Sequence, residues 1–319
     1  MKQVSTVLIL GATGAIGGEV GRRLAARGWH VRALHRNPAA LAQCDTRFEW
    51  RQGDAMVRTD VVAAAEGASL IVHAVNPPGY RNWAGLVLPM IDNTIAAARV
   101  SGARILLPGT VYNFGVSAFP TLTETSPQEA LTRKGAIRTE LERRLQAASA
   151  DGVRSLIVRA GDFFGPGSTG NSWFSAAIVK PGKPVDAIQY PGTPGVGHQW
   201  AYLPDVAETM VRLLDQEERL PAFATYHMQG HWDADGTQMT NTIRRVARRP
   251  DMKVKAFPWW ALFFAAPFSE TLRELREMRY LWEQPMRMDN ARLLAMLGEE
   301  PHTPWDEAVR STLVWMRCE

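Results

Sequence analysis

Three glycines close to the N-terminus constrain this chain more than any other feature. Gly11, Gly14 and Gly17 directly follow the apolar segment Thr6–Leu10 and open a segment with helical periodicity, Ile16–Arg27. In this setting the first glycine permits a tight turn out of a strand and the second lets the backbone approach a ligand. The third lets the helix lie close to the strand. The sequence therefore predicts a strand, a tight loop and a helix whose N-terminus is open to an anion.

The rest of the first 160 residues alternates between short apolar runs and segments with helical periodicity. The further predicted strands are Trp29–Leu34, Phe48–Arg51, Ser69–Val75, Arg104–Leu107 and Arg154–Arg159. The further predicted helices are Val61–Glu66, Trp83–Val100 and Pro127–Ala150. Such alternation predicts an α/β fold, a Rossmann-type doubly wound parallel sheet with helices on both faces.

Beyond residue 160 the composition changes, because glycine, proline and aromatic residues become more frequent. We predict that residues 161–203 and 229–319 form a smaller, mostly helical C-terminal substrate region. Its predicted helices are Gln238–Arg248, Ser269–Trp282, Asn290–Leu297 and Trp305–Met316. Residues 204–228, with a predicted helix at Pro204–Gln216 and a strand at Ala224–Met228, are expected to return to the Rossmann domain of residues 1–160.

Composition excludes several classes of protein. The net charge of +4 is dispersed along the chain, so we expect no nucleic-acid partner. Cys44 and Cys318 lie too far apart in sequence to indicate a disulfide framework or a zinc finger. His227 and His231 are separated by a glycine that interrupts a helix, so we predict no metal site. The apolar stretch Pro258–Phe268 has about half the length that spans a bilayer, and we expect a cytoplasmic protein without a membrane partner.

The glycine loop predicts a dinucleotide, with its pyrophosphate at the N-terminus of the first helix. An NAD site usually has Asp or Glu at the end of the second strand, where this chain has His35-Arg36-Asn37. The Arg36 guanidinium suits a 2′-phosphate, so NADP(H) is predicted rather than NAD(H), although a surface arginine at a turn is the alternative. The cofactor-binding residues predicted from these strand ends are Gly11, Thr13, Gly14, Ala15, Ile16, Gly17, Arg36, Asp54, Ala55, Ala74 and Val75.

With these landmarks, the chain resembles the extended short-chain dehydrogenase/reductase family, also called the NAD-dependent epimerase/dehydratase family. The matching segments, spread through most of the chain, are Gly11–Gly17, Gly53-Asp54, Leu107–Gly115, Arg159–Gly167 and Tyr202–Ala207. The resemblance implies a substrate oxygen held by a Ser or Thr after the fifth strand and by the tyrosine of a Tyr-x-x-x-Lys motif on the next helix. It also places Ala160 and Asp162 at the cofactor.

The chain departs from this family at the Tyr-x-x-x-Lys motif. Thr110 matches the hydroxyl position, but the helix reads Lys134-Gly-Ala-Ile-Arg138, and no tyrosine occurs between Tyr112 and Tyr190. Lys134 is a candidate proton donor if burial lowers its pKa, and Arg138 is a candidate cation for the cofactor ribose or phosphate. Tyr112 is a second candidate donor, expected to face away from Thr110 on an extended strand. On a helix, the lysine and arginine could instead simply face solvent.

A substrate pocket is predicted where His198 and three aromatic residues gather, although a place in the core is the alternative for each. The aromatic residues are Phe163, Trp173 and Trp200. We interpret the chain as an NADP(H)-dependent oxidoreductase acting on a small carbonyl-type organic substrate. The alternatives are a non-catalytic NADP(H) sensor or regulatory protein and a nucleotide-sugar epimerase. Homodimers are common in the resembled family, so a homodimer is an option for this chain.

Overall fold

The structure, a computed structural model, describes residues 4–77, 82–168 and 172–318. Its first strands are β1 (Thr6–Leu10), β2 (His30–His35), β3 (Phe48–Gln52), β4 (Leu70–His73), β5 (Arg104–Gly109), β6 (Thr121–Leu122) and β7 (Ser155–Arg159). The later strands are β8 (Asp162–Phe164), β9 (Ala187–Tyr190), β10 (His198–Tyr202), β11 (Phe223–His227), β12 (His231–Asp233), β13 (Lys253–Ala256) and β14 (Arg287–Met288). The central sheet has seven strands in the order β11-β7-β5-β4-β1-β2-β3, all parallel.

Helices cover both faces of this sheet. They are α1 (Ala15–Ala26), α2 (Ala39–Cys44), α3 (Arg58–Ala64), α4 (Trp83–Ser101), α5 (Arg133–Ser149) and α6 (Leu203–Leu214). The later helices are α7 (Gln238–Val246), α8 (Trp259–Ala265), α9 (Glu270–Glu277), α10 (Tyr280–Glu283), α11 (Ala291–Leu297) and α12 (Trp305–Trp315). The alternation and the helices on both faces confirm the predicted Rossmann-type fold.

The alternating side chains of β1 explain why the sheet has two covered faces. Val7 and Ile9 join the apolar cluster of α1 and α6, whereas Leu8 and Leu10 join the cluster of α3, α4 and α5. Because successive side chains on a strand point to opposite faces, an unbroken apolar run is stable only between two layers.

Some predicted boundaries differ from the observed ones. Helix α5 begins at Arg133 rather than near Pro127, because the Thr132 hydroxyl caps it by accepting a 3.0 Å hydrogen bond from the Gly135 N–H. The predicted helix Ser269–Trp282 is divided into α9 and α10.

The C-terminal region combines its helices with short strands around an aromatic core. This aromatic core contains Phe164, Trp173, Phe174, Trp200 and Trp282, all buried. Strand β11 and helix α6 belong to the large sheet and its covering layer, so the chain returns to the first domain before entering α7. Within the described ranges, no helix is both long and apolar enough to cross a bilayer.

Candidate active site

A cavity of about 680 Å³ lies at the carboxyl ends of the central strands. The strand order reverses between β1 and β4, and the loops that follow these strands separate there, which is where open α/β sheets bind ligands. Gly17 does not line this cavity. The other predicted cofactor residues do, namely Gly11, Thr13, Gly14, Ala15, Ile16, Arg36, Asp54, Ala55, Ala74, Val75, Arg138, Ala160 and Asp162.

The glycine loop has no room for side chains. Gly11 has φ +94°, and a Cβ there would lie 2.6 Å from the Ala74 carbonyl oxygen on the loop after β4. A Cβ on Gly17 would overlap the Gly11 carbonyl oxygen, which explains how α1 approaches the loop so closely. Gly14 caps α1 without a side-chain hydrogen bond, and the first turn of the helix has no acidic residue. The helix N-terminus is therefore open to a phosphate.

Arg36 and Asp54 line the part of the cavity next to β2 and β3. Arg36 is exposed and follows β2, where no acidic residue stands to bind ribose hydroxyls. Asp54 accepts a 2.9 Å hydrogen bond from the Met56 N–H, and its own N–H donates to the Asp60 carboxylate at 2.9 Å. These bonds fix the loop after β3 against the cavity.

Thr110 and Tyr112 line the opposite part of the cavity. Strand β5 ends at Gly109, so both residues lie in the turn that follows the strand. The expectation that Tyr112 faces away from Thr110 assumed an extended strand, and side chains alternate only in extended backbone.

A chain of hydrogen-bonded polar side chains leads from Thr110 into the interior. The Thr110 hydroxyl donates to Asn113 Oδ1 at 2.9 Å, and Asn113 Nδ2 donates to Gln128 Oε1 at 2.9 Å. Gln128 Nε2 donates to Glu142 Oε2 at 2.8 Å, and Arg159 Nη2 donates to the same oxygen at 2.7 Å. Arg159 also donates through Nη1 to the Thr110 carbonyl oxygen, which fixes the backbone beside the cavity.

His227 terminates this chain on its inner side. Its Nε2 accepts a 3.2 Å hydrogen bond from Arg159 Nε. Burial and the nearby guanidinium lower the pKa of His227 from 6.5 to about 3, so the imidazole stays neutral.

Lys134 does not line the cavity but lies directly behind residues that do. Its Nζ is 5.5 Å from the Tyr112 ring centroid and 6.0 Å from the Trp83 ring centroid. The side chain is 1% exposed, so the solvent-facing alternative is wrong. Burial lowers the pKa of Lys134 from 10.5 to about 8, although Glu274 Oε2, 3.9 Å away on α9, raises it. The amine therefore loses its proton more readily than an exposed lysine does.

Arg138 projects from the next turn of α5 into the cavity wall. Its guanidinium carbon lies 5.1 Å from the Trp83 ring centroid, and Nη2 donates to Asn76 Oδ1 at 3.5 Å. Burial, followed by the charge of Arg138, lowers the pKa of His73 to about 3. The neutral His73 ring contacts the Thr94 hydroxyl at 2.8 Å. Arg138 is thus a fixed positive charge at the cavity.

Among the predicted pocket residues, Phe163 lines the cavity whereas His198 does not. His198 is buried, stacks on Trp282 with ring centroids 3.6 Å apart, and contacts the Asp162 carboxylate at 2.9 Å. His198 therefore touches a residue that lines the cavity, Asp162, but not the cavity itself. The other two predicted pocket residues are Trp173 and Trp200. Both belong to the aromatic core and do not line the cavity.

Several cavity residues were not selected from the sequence. Trp83 begins α4, close after the carboxyl end of β4, and that position could have indicated a place in the site. Nothing in the sequence marks Asn76 as a site residue except its position shortly after β4. Ser168 and Ser172 also line the cavity, and their hydroxyls donate to the carbonyl oxygens of Gly165 and Phe163.

A separate group of possible metal ligands lies where α6 meets the C-terminal region. Side-chain atoms of Asp205, His231 and His302 lie within 4.8 Å of one another. Both Asp205 oxygens accept 2.7 Å hydrogen bonds from Thr303, and His231 Nε2 lies 2.7 Å from the Thr303 carbonyl oxygen. Asp205 and His231 Nε2 therefore already have protein partners.

Comparison with known proteins agrees with this geometry. A family model described as NAD(P)H-binding matches residues 11–172, just over half of the chain. A 3-diazoavenalumate denitrifying reductase of a Streptomyces species is 28% identical over 178 residues, covering 51% of this chain and 57% of that protein. The matches span little more than half the length of the curated relatives.

Solved structures share the fold over the whole chain. MoeE5 in complex with UDP-glucose and NAD superposes with a TM-score of 0.74 at 17% identity, covering 98% of this chain and 99% of that one. The UDP-glucose 4-epimerase of Thermotoga maritima with UDP-glucose gives a TM-score of 0.75 at 13% identity, covering 98% of both chains. At these identities the likeness establishes the fold.

Proposed function

Because the chain belongs to the NAD(P)H-binding family, we propose that it is an NADP(H)-dependent reductase of a small carbonyl-type organic substrate. The observation that carries the proposal is that the glycine loop and the pair Thr110 and Tyr112 line one cavity. The word reductase in the name of the Streptomyces relative supports the same type of reaction.

The residues present fit a dinucleotide. Gly11 and Gly14 leave the backbone accessible at the open N-terminus of α1, where a pyrophosphate is stabilised. Arg138 offers a fixed charge further along the cavity, suited to a ribose or phosphate. When bound, the nicotinamide supplies the hydride that the reaction consumes.

We assign the preference for NADP(H) to Arg36. Its guanidinium is exposed at the cavity, where a 2′-phosphate would gain charge-assisted hydrogen bonds. Titrating the protein with NADPH, NADP⁺, NADH and NAD⁺ by tryptophan fluorescence tests this assignment. We expect the phosphorylated pair to bind more tightly and Arg36→Ala to weaken that pair alone, by about tenfold at low salt. Arg51→Ala, on β3 and outside the cavity lining, is the matched control.

We assign the proton transfer to Tyr112, with Lys134 as a positioning residue behind it. Tyr112 lines the cavity and can donate to a substrate oxygen there. The Lys134 ammonium, 5.5 Å from the ring centroid, stabilises the phenolate left behind. Together the two residues would replace the absent Tyr-x-x-x-Lys motif.

Steady-state kinetics of NADPH oxidation with a panel of aldehydes and ketones test this assignment. We expect Tyr112→Phe to lower kcat by roughly 10²–10⁴ while leaving NADPH affinity unchanged, because a positioned general acid contributes about that factor. Turnover of Tyr112→Phe at the wild-type rate would refute the role of Tyr112. Nucleotide binding without turnover of any substrate would instead support the sensor, and interconversion of a nucleotide sugar would support the epimerase.

We retain the homodimer as part of the proposal. Trp260, Phe263 and Phe264 on α8 are each more than 60% exposed, a concentration of apolar surface uncommon on monomers. Sedimentation velocity of the wild-type protein tests this assignment.

A further inference from the structure

The polar chain behind Thr110 has a fixed direction, and that direction decides what Thr110 can offer to a substrate. The inference rests on the proposed reductase function, but its structural premise can be tested without any substrate. The chain runs from the buried Arg159–Glu142 ion pair through Gln128 and Asn113 to the Thr110 hydroxyl.

The direction is set at the ion pair. An ionised carboxylate accepts hydrogen bonds and donates none, and Glu142 Oε2 faces a permanent cation, the Arg159 guanidinium. The Gln128 group at 2.8 Å from that oxygen must therefore be the amide NH₂, which leaves Gln128 Oε1 pointing toward Asn113.

The same reasoning continues outward. Gln128 Oε1 is an acceptor, so Asn113 must present its NH₂ to it, and the carbonyl oxygen of Asn113 must then face Thr110. Asn113 is completely buried, so no water competes at this position. A flip of the Asn113 amide would oppose its oxygen to Gln128 Oε1, which costs about 1–3 kcal/mol for a buried acceptor left without a donor.

We propose that Thr110 presents only acceptor lone pairs to the cavity, and that the site selects substrates carrying a hydroxyl or N–H group beside the reactive carbonyl. The single hydroxyl proton of Thr110 is held by Asn113. Tyr112 then donates to the carbonyl oxygen, and Thr110 accepts from the neighbouring donor of the substrate. Asn113 is a positioning residue that sets this selectivity without contacting the substrate.

Neutron diffraction from crystals exchanged into D₂O tests the premise directly. We expect the Thr110 deuteron to point at Asn113 Oδ1 and both deuterons of the Asn113 amide to lie on the nitrogen facing Gln128. A Thr110 deuteron directed into the cavity would overturn the inference. This result does not depend on turnover.

A matched pair of probes tests the consequence, 2-hydroxyacetophenone against 2-methoxyacetophenone. Aromatic probes suit a cavity lined by Trp83, Tyr112 and Phe163. Binding to the protein saturated with NADP⁺ is followed by tryptophan fluorescence, so that no reduction occurs. We expect the hydroxy compound to bind about tenfold more tightly, in line with one additional hydrogen bond in a buried site.

Variants separate the role of Thr110 from a general loss of structure. Thr110→Val should remove the preference between the two probes, whereas Thr110→Ser should keep it. Asn113→Leu releases the Thr110 proton and should reduce the preference, even though Asn113 does not line the cavity. Equal affinity of the wild-type protein for both probes, or failure of both to bind, would overturn the selectivity. Failure of all four nucleotides to bind would refute the proposed function instead.

Discussion

Replacing Lys134 by methionine should stabilise the protein. The pKa of Lys134 is about 8 in the folded chain, and its ordinary value is 10.5. Each pKa unit corresponds to about 1.4 kcal/mol, so burying the charged amine costs about 3 kcal/mol at neutral pH. This figure already includes the attraction to Glu274, because that carboxylate raises the same pKa. Methionine has a similar length and needs no solvation, so the variant should recover most of this cost although Glu274 loses its cation, because that attraction is already counted in the lowered pKa.

The gain should depend on pH in a defined direction. Below pH 8 the amine is charged in both the folded and the unfolded chain, and the full cost applies. Between pH 8 and 10.5 the unfolded chain binds more protons than the folded one, so the stability of the wild-type protein rises relative to the variant. Above pH 10.5 the amine is neutral in both states and the difference should disappear. Urea unfolding of both proteins at pH 7, 8, 9 and 10 measures it.

The control is the substitution Lys253→Met at an exposed position on β13. It should change the free energy of unfolding by about 0.5 kcal/mol or less at each of these pH values. A Lys134→Met variant that is less stable than wild type at pH 7, or a difference that does not change with pH, would refute the reasoning. The same variant should bind NADPH normally but lose turnover, because in the proposed function Lys134 stabilises the Tyr112 phenolate.

Three further results are expected. Gly17→Ala should abolish nucleotide binding in the fluorescence titration and lower the free energy of unfolding by about 1–3 kcal/mol, because its Cβ would overlap the carbonyl oxygen of Gly11. Normal binding would contradict the close approach of α1 to the glycine loop. Arg159→Met should lower the free energy of unfolding, measured with urea, by about 3–5 kcal/mol, since it leaves the buried Glu142 carboxylate without this cation. If the wild-type protein is a dimer, Trp260→Ser should convert it to a monomer in sedimentation velocity and change its free energy of unfolding by about 0.5 kcal/mol or less. An unchanged sedimentation coefficient would exclude this surface from the interface.

The sequence by itself determined the fold and the part of the cavity that we assign to the cofactor. Strand β1 is an unbroken apolar run because both faces of the sheet are covered, and this pattern is local enough to read directly. The glycines are equally local, because a turn and an adjoining helix start need a few consecutive residues and no distant partner. Arg36 and Asp54 followed from their positions at the ends of β2 and β3, since parallel strands bring their carboxyl ends to one edge.

The tertiary structure decided the part of the cavity that we assign to proton transfer. Lys134 is buried because α9 packs Glu274 against it from more than a hundred residues away, and no local pattern predicts such a contact. His198, Trp173 and Trp200 lie in or against the aromatic core rather than at the cavity. The sequence could not separate the two places, because core and pocket are built from the same types of residue. The direction of the hydrogen bonds behind Thr110 likewise depends on Arg159 and Glu142, which meet only when β7 packs beside α5. Secondary structure follows short-range periodicity, whereas the environment of a charge depends on what the whole fold places around it.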